Sequence, residues 1–204
     1  MTRDKGEWRR ILLARRRALE SSAQRVYSEA IAKRVGTLPA FARCRHLLTY
    51  QALGAEVDPA SVGRLATRQG KALYYPAELD GEPCWRRAEG GQGVASTASM
   101  AAVRGSASRE AWLVLVPGVG FDLAGVRLGR GKGYYDRALA ELRDEVPVLV
   151  VGIAFELQVV CRLPRDPWDQ AVDLIVTERR VIGRNADRRP LDDPLSQPGG
   201  VREP

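Results

Sequence analysis

Residues 112–143 run from an apolar stretch through closely spaced glycines into an amphipathic segment, and few folds accommodate that succession. Trp112-Leu113-Val114-Leu115-Val116 is continuously apolar and reads as a buried strand, ended by Pro117-Gly118. Arg127-Leu128-Gly129-Arg130-Gly131-Lys132-Gly133-Tyr134-Tyr135-Asp136 follows, and Tyr134 to Arg143 shows helical spacing with Leu139 and Leu142 apolar. A glycine loop between a buried strand and a helix start is where α/β proteins place anions.

The rest of the chain alternates in the same way. Asp4 to Leu19 reads as a helix with Trp8, Ile11, Leu12 and Leu19 apolar, and Arg9, Arg10, Arg15, Arg16 and Arg17 around them. Ser21 or Ser22 is expected to cap a second helix that turns Val26, Ala30, Ile31 and Val35 to one face and stops at Gly36. Arg45–Tyr50 is a strand candidate. Asp58-Pro59 opens a helix to Gln69. Ala72–Tyr75, closed by Pro76, and a shorter Cys84–Arg87 are further strands, as are Pro147–Ile153 and Asp173–Thr177, the last. Residues 89–109 are rich in Gly, Ala and Ser and read as a loop. These elements predict an open, mostly parallel α/β sheet in one domain over residues 1–182. Residues 183–204, polar and proline-rich, read as a disordered tail.

The glycine segment also carries chemistry. Glycine lets the backbone turn sharply and press N–H groups against a ligand, and Arg130 and Lys132 add positive charge, which suits phosphate oxygens. Asp136 is of the type that holds Mg²⁺, and Tyr134 and Tyr135 offer stacking surfaces. The spacing is neither that of a P-loop, which has Ser or Thr after Gly-Lys, nor that of the dinucleotide fingerprint.

Other compositional features exclude function classes. The only histidine, His46, sits in the apolar stretch His46-Leu47-Leu48 and reads as a packed strand residue, which disfavours Ser-His-Asp and Cys-His catalysis. Cys44, Cys84 and Cys161 lie far apart and read as reduced, mostly packed thiols. No apolar run approaches the roughly 20 residues that span a bilayer, and the N-terminus lacks an apolar signal core, so a cytoplasmic location is expected. The net charge of +7 suits anionic partners, but no dense basic tract favours nucleic acid. Small anionic ligands are the expected partners, and the expected state is a monomer.

Several segments together resemble the 5-formyltetrahydrofolate cyclo-ligase (5,10-methenyltetrahydrofolate synthetase) family. They are Arg127 to Asp136, the preceding Val116-Pro117-Gly118 and Phe121-Asp122, and the later Val151 to Gln158. Lys5-x-x-x-Arg9 is similar to the family's first nucleotide-contacting motif, and Asp169-x-x-x-Asp173 with Thr177-Glu178 resembles its closing motif. The resemblance implies a three-layer α/β/α sandwich and the ATP- and Mg²⁺-dependent conversion of 5-formyltetrahydrofolate to 5,10-methenyltetrahydrofolate. It further implies an ATP site of Lys5, Arg9 and Arg127, Leu128, Gly129, Arg130, Gly131, Lys132, Gly133, Tyr134 and Tyr135. Arg130, Lys132 and Tyr135 would be catalytic. Gln51 and Glu56 would meet the folate together with Arg130, Gly131, Lys132, Gly133 and Tyr134, and Asp136 and Asp169 would hold the metal.

The chain departs from the family pattern in three places. Trp168-Asp169 stands where the family often has His-Asp, Trp8 replaces a smaller aliphatic residue, and Met100 to Glu110 lacks the usual Glu-Pro segment. Two other readings therefore stay open. One is an ATP-using paralogue acting on another small molecule in thiamine or folate salvage. The other is a non-catalytic folate- or RNA-binding protein.

Overall fold

The computed structural model describes residues 3–89, 93–98 and 111–184. Its centre is an eight-stranded sheet in the order β11-β10-β8-β5-β1-β2-β3-β4. The strands are β1 (His46–Leu48), β2 (Ala72–Leu79), β3 (Glu82–Glu89), β4 (Gly93–Ala98), β5 (Trp112–Val116), β8 (Val148–Ile153), β10 (Leu174–Val176) and β11 (Val181–Gly183). The five central strands from β10 to β2 are parallel, whereas β3, β4 and β11 are antiparallel additions at the edges.

The side-chain period of two splits each central strand between two cores. Leu47, Leu113, Leu115, Leu149 and Val151 face one way, against Ile31 and Val35 of α2 (Ser21–Gly36), Phe41 of α3 (Pro39–Arg43) and Val62 and Ala66 of α4 (Ala60–Arg68). Leu48, Val114, Val116 and Val150 face the other way, against Ala138, Leu139 and Leu142 of α5 (Tyr134–Glu145). Helices on both faces of a mostly parallel sheet make the three layers that the resemblance implied. His46 is buried and stacks on Trp112, with ring centroids 4.0 Å apart.

A second, three-stranded sheet orders β7 (Arg127–Leu128), β6 (Gly120–Asp122) and β9 (Val159–Val160). It seats α1 (Lys5–Arg17) through Leu12, which packs with Val119, Val126, Leu128 and Leu163. Asp122 is buried and accepts hydrogen bonds from the backbone N–H groups of Ala124, Val126 and Leu163, at 2.9 Å each, which fixes the β6–β7 turn. The Phe121 ring fills the space beside Gly118 and Gly152. A Cβ on either glycine would lie 2.6 or 2.4 Å from that ring, so only glycine permits the approach.

Several expectations need correction. Glu20, not Ser21 or Ser22, occupies the N-cap of α2, and its side chain makes no capping bond. The buried stripe of α2 is Ser28, Ile31, Ala32 and Val35, while Val26 is exposed. Pro76 does not close β2. The strand runs on to Leu79 because β1 stops pairing at Leu48 with Tyr74, leaving a free edge that tolerates a residue without an N–H. The hairpin then turns through Asp80 and Gly81, both at positive φ. Part of the expected 89–109 loop is β4, antiparallel to β3, and residues 99–110 lie outside the described residues. Thr177 does not end the last strand of the sheet: β11 reaches Gly183, which the tail was expected to include, and Arg184 N donates to Asp173 O at 3.1 Å. Residues 185–204 lie outside the described residues. Among the described residues no helix is long and apolar enough to cross a membrane.

Candidate active site

The glycine loop bridges β7 of the small sheet and α5 of the large one. Its shape depends on Gly131 and Gly133, at φ +105° and +67°, conformations that L side chains rarely adopt. Gly133 is also the N-cap of α5, and Asp136 lies in that helix's first turn. The loop is tied down on both sides. Arg9 Nε donates to Gly129 O at 2.8 Å, joining it to α1. Tyr134 Oη accepts from Ala77 N at 3.1 Å and lies 2.8 Å from the carbonyl oxygens of Ala77 and Cys84, which share its proton. This fixes α5 to the β2–β3 hairpin.

The loop forms one wall of a pocket of about 670 Å³. Lys5 and Arg9 from α1, Gln51 and Glu56 from the segment after β1, the whole run Arg127 to Asp136, and Asp169 all line it. Every residue given a catalytic, binding or metal role in the sequence thus lines one pocket, whereas Asp173, Thr177 and Glu178 of the closing motif do not. Pro76, Ala77 and Glu78 of β2, and Pro117 to Val119 after β5, with Tyr50, Leu53, Asp166 and Trp168, complete the wall.

Cations and carboxylates in the pocket are largely paired with one another. Lys5 Nζ donates to Asp166, at 2.7 Å, and to Asp169. Burial alone would lower the Lys5 pKa, but the hydrogen bonds and charges of Asp166 and Asp169 outweigh it and raise it. Arg127 Nη2 donates to Asp136 Oδ1 at 3.0 Å, and its guanidinium sits 5.3 Å from the centre of the Tyr135 ring. Arg127 is buried and still lines the pocket. Arg130 donates to Glu56 Oε1 through Nε at 3.2 Å and Nη2 at 2.8 Å. Lys132 is exposed, and its ammonium has no hydrogen bond or ion pair among the described residues.

Burial pushes the Tyr134 hydroxyl up to about 12 and raises that of Tyr135 further, against the lowering effect of Arg127. Both remain neutral O–H groups near neutral pH.

Asp136 and Asp169 are neighbours through Gln170, whose N–H donates to Asp136 Oδ1 at 3.2 Å. Asp169 Oδ2 accepts from Asp166 N at 2.8 Å as well as from Lys5. Asp136 Oδ2 and Asp169 Oδ1 make no hydrogen bond among the described residues. Two such oxygens suit a hard divalent cation that keeps waters and phosphates as its other ligands. No group of three or more His, Cys, Asp or Glu side chains placed to hold a metal occurs among the described residues.

Sequence reasoning missed Arg16, Asp166 and the β2 wall. Arg16 stands among the arginines around the apolar positions of α1, yet it is buried. Its place on the face of α1 that carries Lys5 and Arg9 was the available signal. Trp168, in the position noted as a departure, projects at the pocket rim and is 68% exposed.

The model of the 5-formyltetrahydrofolate cyclo-ligase family matches residues 1–178. A Schizosaccharomyces pombe protein named probable 5-formyltetrahydrofolate cyclo-ligase is 27% identical over 174 residues, covering 76% of this chain and 85% of that one. A mouse 5-formyltetrahydrofolate cyclo-ligase is 43% identical over 68 residues, but that stretch spans only 32% of this chain and 34% of the mouse protein. Among solved structures, an Aquifex aeolicus 5,10-methenyltetrahydrofolate synthetase superimposes with a TM-score of 0.72 at 32% identity, covering 93% of this chain and 96% of that one. A Mycoplasma pneumoniae 5,10-methenyltetrahydrofolate synthetase gives 0.70 at 26% identity, covering 86% and 99%.

Proposed function

Because this chain belongs to the 5-formyltetrahydrofolate cyclo-ligase family, we propose that it converts 5-formyltetrahydrofolate and ATP to 5,10-methenyltetrahydrofolate, ADP and phosphate. The observation that carries this reading is the pocket itself. The glycine loop, Lys132 with no ion pair among the described residues, Lys5 and Arg9 of α1, Asp136, Asp169 and the buried acid Glu56 all line it.

The reaction asks the protein to position groups and neutralise charge. The formyl oxygen attacks the γ-phosphorus and ADP leaves, giving a phosphorylated imidate at N5. N10 then attacks the former formyl carbon and loses its proton, and phosphate departs with the formyl oxygen. An amide-like oxygen is a poor leaving group, and phosphorylation makes it a good one.

Each role falls to residues already placed. The N–H groups of Gly129 to Gly133 and the ammonium of Lys132 bind triphosphate oxygens. Arg9 holds the loop in shape and presents the rest of its guanidinium to the same region. Lys5 and Arg130 are drawn from their carboxylates to phosphate when nucleotide enters. Tyr135, kept neutral by burial, offers an O–H donor and a ring edge to the reacting groups. Glu56 accepts N–H bonds from the pterin edge, and Gln51 lies near it on the same wall. Asp136 and Asp169 would hold Mg²⁺, which would supply charge to offset that of the triphosphate.

Absorbance in the methenyl-folate band tests the reading. Purified protein with 5-formyltetrahydrofolate, ATP and Mg²⁺ should give a rise that fails when any one is omitted. Folded, ATP-binding protein that gives no rise rejects the folate substrate.

A further inference from the structure

α1 carries one more cation on the face that holds Lys5 and Arg9, buried behind residues that line the pocket. At about 100° per residue, Lys5, Arg9, Leu12 and Arg16 fall within a stripe roughly 60° wide. Arg16 is 3% exposed, an uncommon state for arginine. Its Nη1 donates to Gly118 O at 3.2 Å, and its Nη2 lies 3.9 Å from Glu56 Oε1. Its Nε makes no hydrogen bond among the described residues. Burial lowers its pKa, and the negative charge of Glu56 acts in the opposite direction.

Glu56 therefore faces two cations of unlike freedom. Arg130 belongs to the glycine loop, and its side chain is 52% exposed. Arg16 belongs to a helix, packed on the small sheet by Leu12, and its side chain is 4% exposed. Leu53 N holds the second carboxylate oxygen at 3.0 Å, and burial first, then the Glu56 charge, raises the pKa values of the Tyr50 and Tyr135 hydroxyls. Tyr50 is spoken for by Val57 O at 2.7 Å. A triphosphate at the loop competes for the Arg130 fork, which fits phosphate as well as carboxylate. A buried carboxylate that loses its counter-ion is strongly disfavoured.

We propose that Arg16 is a positioning residue: it stays beside Glu56 when Arg130 turns to phosphate, and it keeps that carboxylate charge-compensated and aimed at the N–H groups of the reduced-pterin edge. This rests on the folate reading above and adds to it the group that holds the substrate acid. Arg16 touches neither substrate. It acts through Glu56 at one end of its fork and through the Gly118 carbonyl, which Gln158 Nε2 also reaches at 2.9 Å, at the other.

The test compares wild type, Arg16→Met, Arg16→Lys, Glu56→Gln and the double variant Arg16→Met/Glu56→Gln, with turnover and calorimetric ATP binding measured on each. Arg16→Met should raise KM for 5-formyltetrahydrofolate roughly tenfold to a hundredfold, the usual range for a lost charged partner. Affinity for ATP should fall by less than that, because Arg130 then leaves Glu56 without a counter-ion when it turns to phosphate while the other phosphate contacts remain. Arg16→Lys should recover part of the loss, since it restores charge without the fork. In the Glu56→Gln background the effect of Arg16→Met should largely vanish.

Equal losses for both substrates, or additive effects of the two substitutions, would mark Arg16 as structural and overturn the proposal. Should Arg16→Met fail to fold, the uncharged Arg16→Gln carries the same comparison, and an unchanged folate KM there also overturns it. Wild type that binds ATP but never turns over the folate rejects the function and this proposal together. Active wild type with an unaltered Arg16→Met variant rejects this proposal alone.

Discussion

Arg127 and Asp136 close the glycine loop at its base: Nη2 of the first residue lies 3.0 Å from Oδ1 of the last. The pair draws the ends of the loop together from beneath and leaves Asp136 Oδ2 without a hydrogen bond among the described residues. One carboxylate thus has a structural oxygen and an oxygen open to a ligand.

Asp136→Asn separates those roles. The amide keeps the shape but removes the charge facing Arg127, whose side chain is nearly buried and whose Nε already lacks a partner among the described residues. Stability should fall by about 1–3 kcal/mol in denaturant titration, and the Mg²⁺ concentration for half-maximal turnover should rise about tenfold or more. Full activity with an unchanged Mg²⁺ requirement would remove Asp136 from the metal site.

Lys132→Ala is the complementary case. Its ammonium is exposed and makes no bond among the described residues, so melting temperature should not move. KM for ATP should rise about tenfold, the scale of one lost charge-assisted phosphate contact, with KM for the folate less affected. An unaltered KM for ATP would exclude Lys132 from the phosphate cradle.

Glu156 predicts an acid dependence away from the pocket. Its carboxylate accepts from Thr177 Oγ1 at 2.6 Å and from Arg180 at 3.0 and 2.6 Å. Burial alone would raise its pKa, but these hydrogen bonds and the Arg180 charge outweigh it and hold the pKa below its ordinary value. The folded state therefore binds this proton less readily than the unfolded state. The stabilisation is complete above the ordinary carboxylate value of about 4.3 and is lost as pH falls through the lower folded value. Glu156→Gln should melt below wild type at neutral pH, with the gap narrowing in acid. A gap that stays constant down to about pH 3 would show that the charge of Glu156 contributes nothing.

The parallel sheet was legible because its strands are buried on both faces. Trp112–Val116 and Val148–Ile153 stand out as unbroken apolar runs, and Ala60–Arg68 follows its Asp58-Pro59 start signal. The small sheet was not legible. Arg127–Leu128, Gly120–Asp122 and Val159–Val160 are two or three residues long, too short for any period, and they are held by Asp122 and Gln158 rather than by strand propensity.

The site was legible in its residue types and less so in its pairings. Gly129 to Asp136 read as a candidate phosphate loop and line one pocket, but no spacing rule foretold that Arg130 would rest on Glu56 or Lys5 on Asp169, 74 and 164 positions away. Arg16 was hidden by its neighbours. In the run Arg15-Arg16-Arg17 composition is uniform, and only the helical angle separates the one that turns inward.

The Phe121 ring, set where Cβ atoms of Gly118 and Gly152 would be, divides the molecule by its tolerance for heritable change. At that junction a single added methyl group on either glycine would push apart the sheet and the strand that leads to the loop. At the rim, Trp168 is mostly exposed, so exchanging it costs little packing. Lineages built on this scaffold have room to vary the entrance to the pocket while its floor stays fixed.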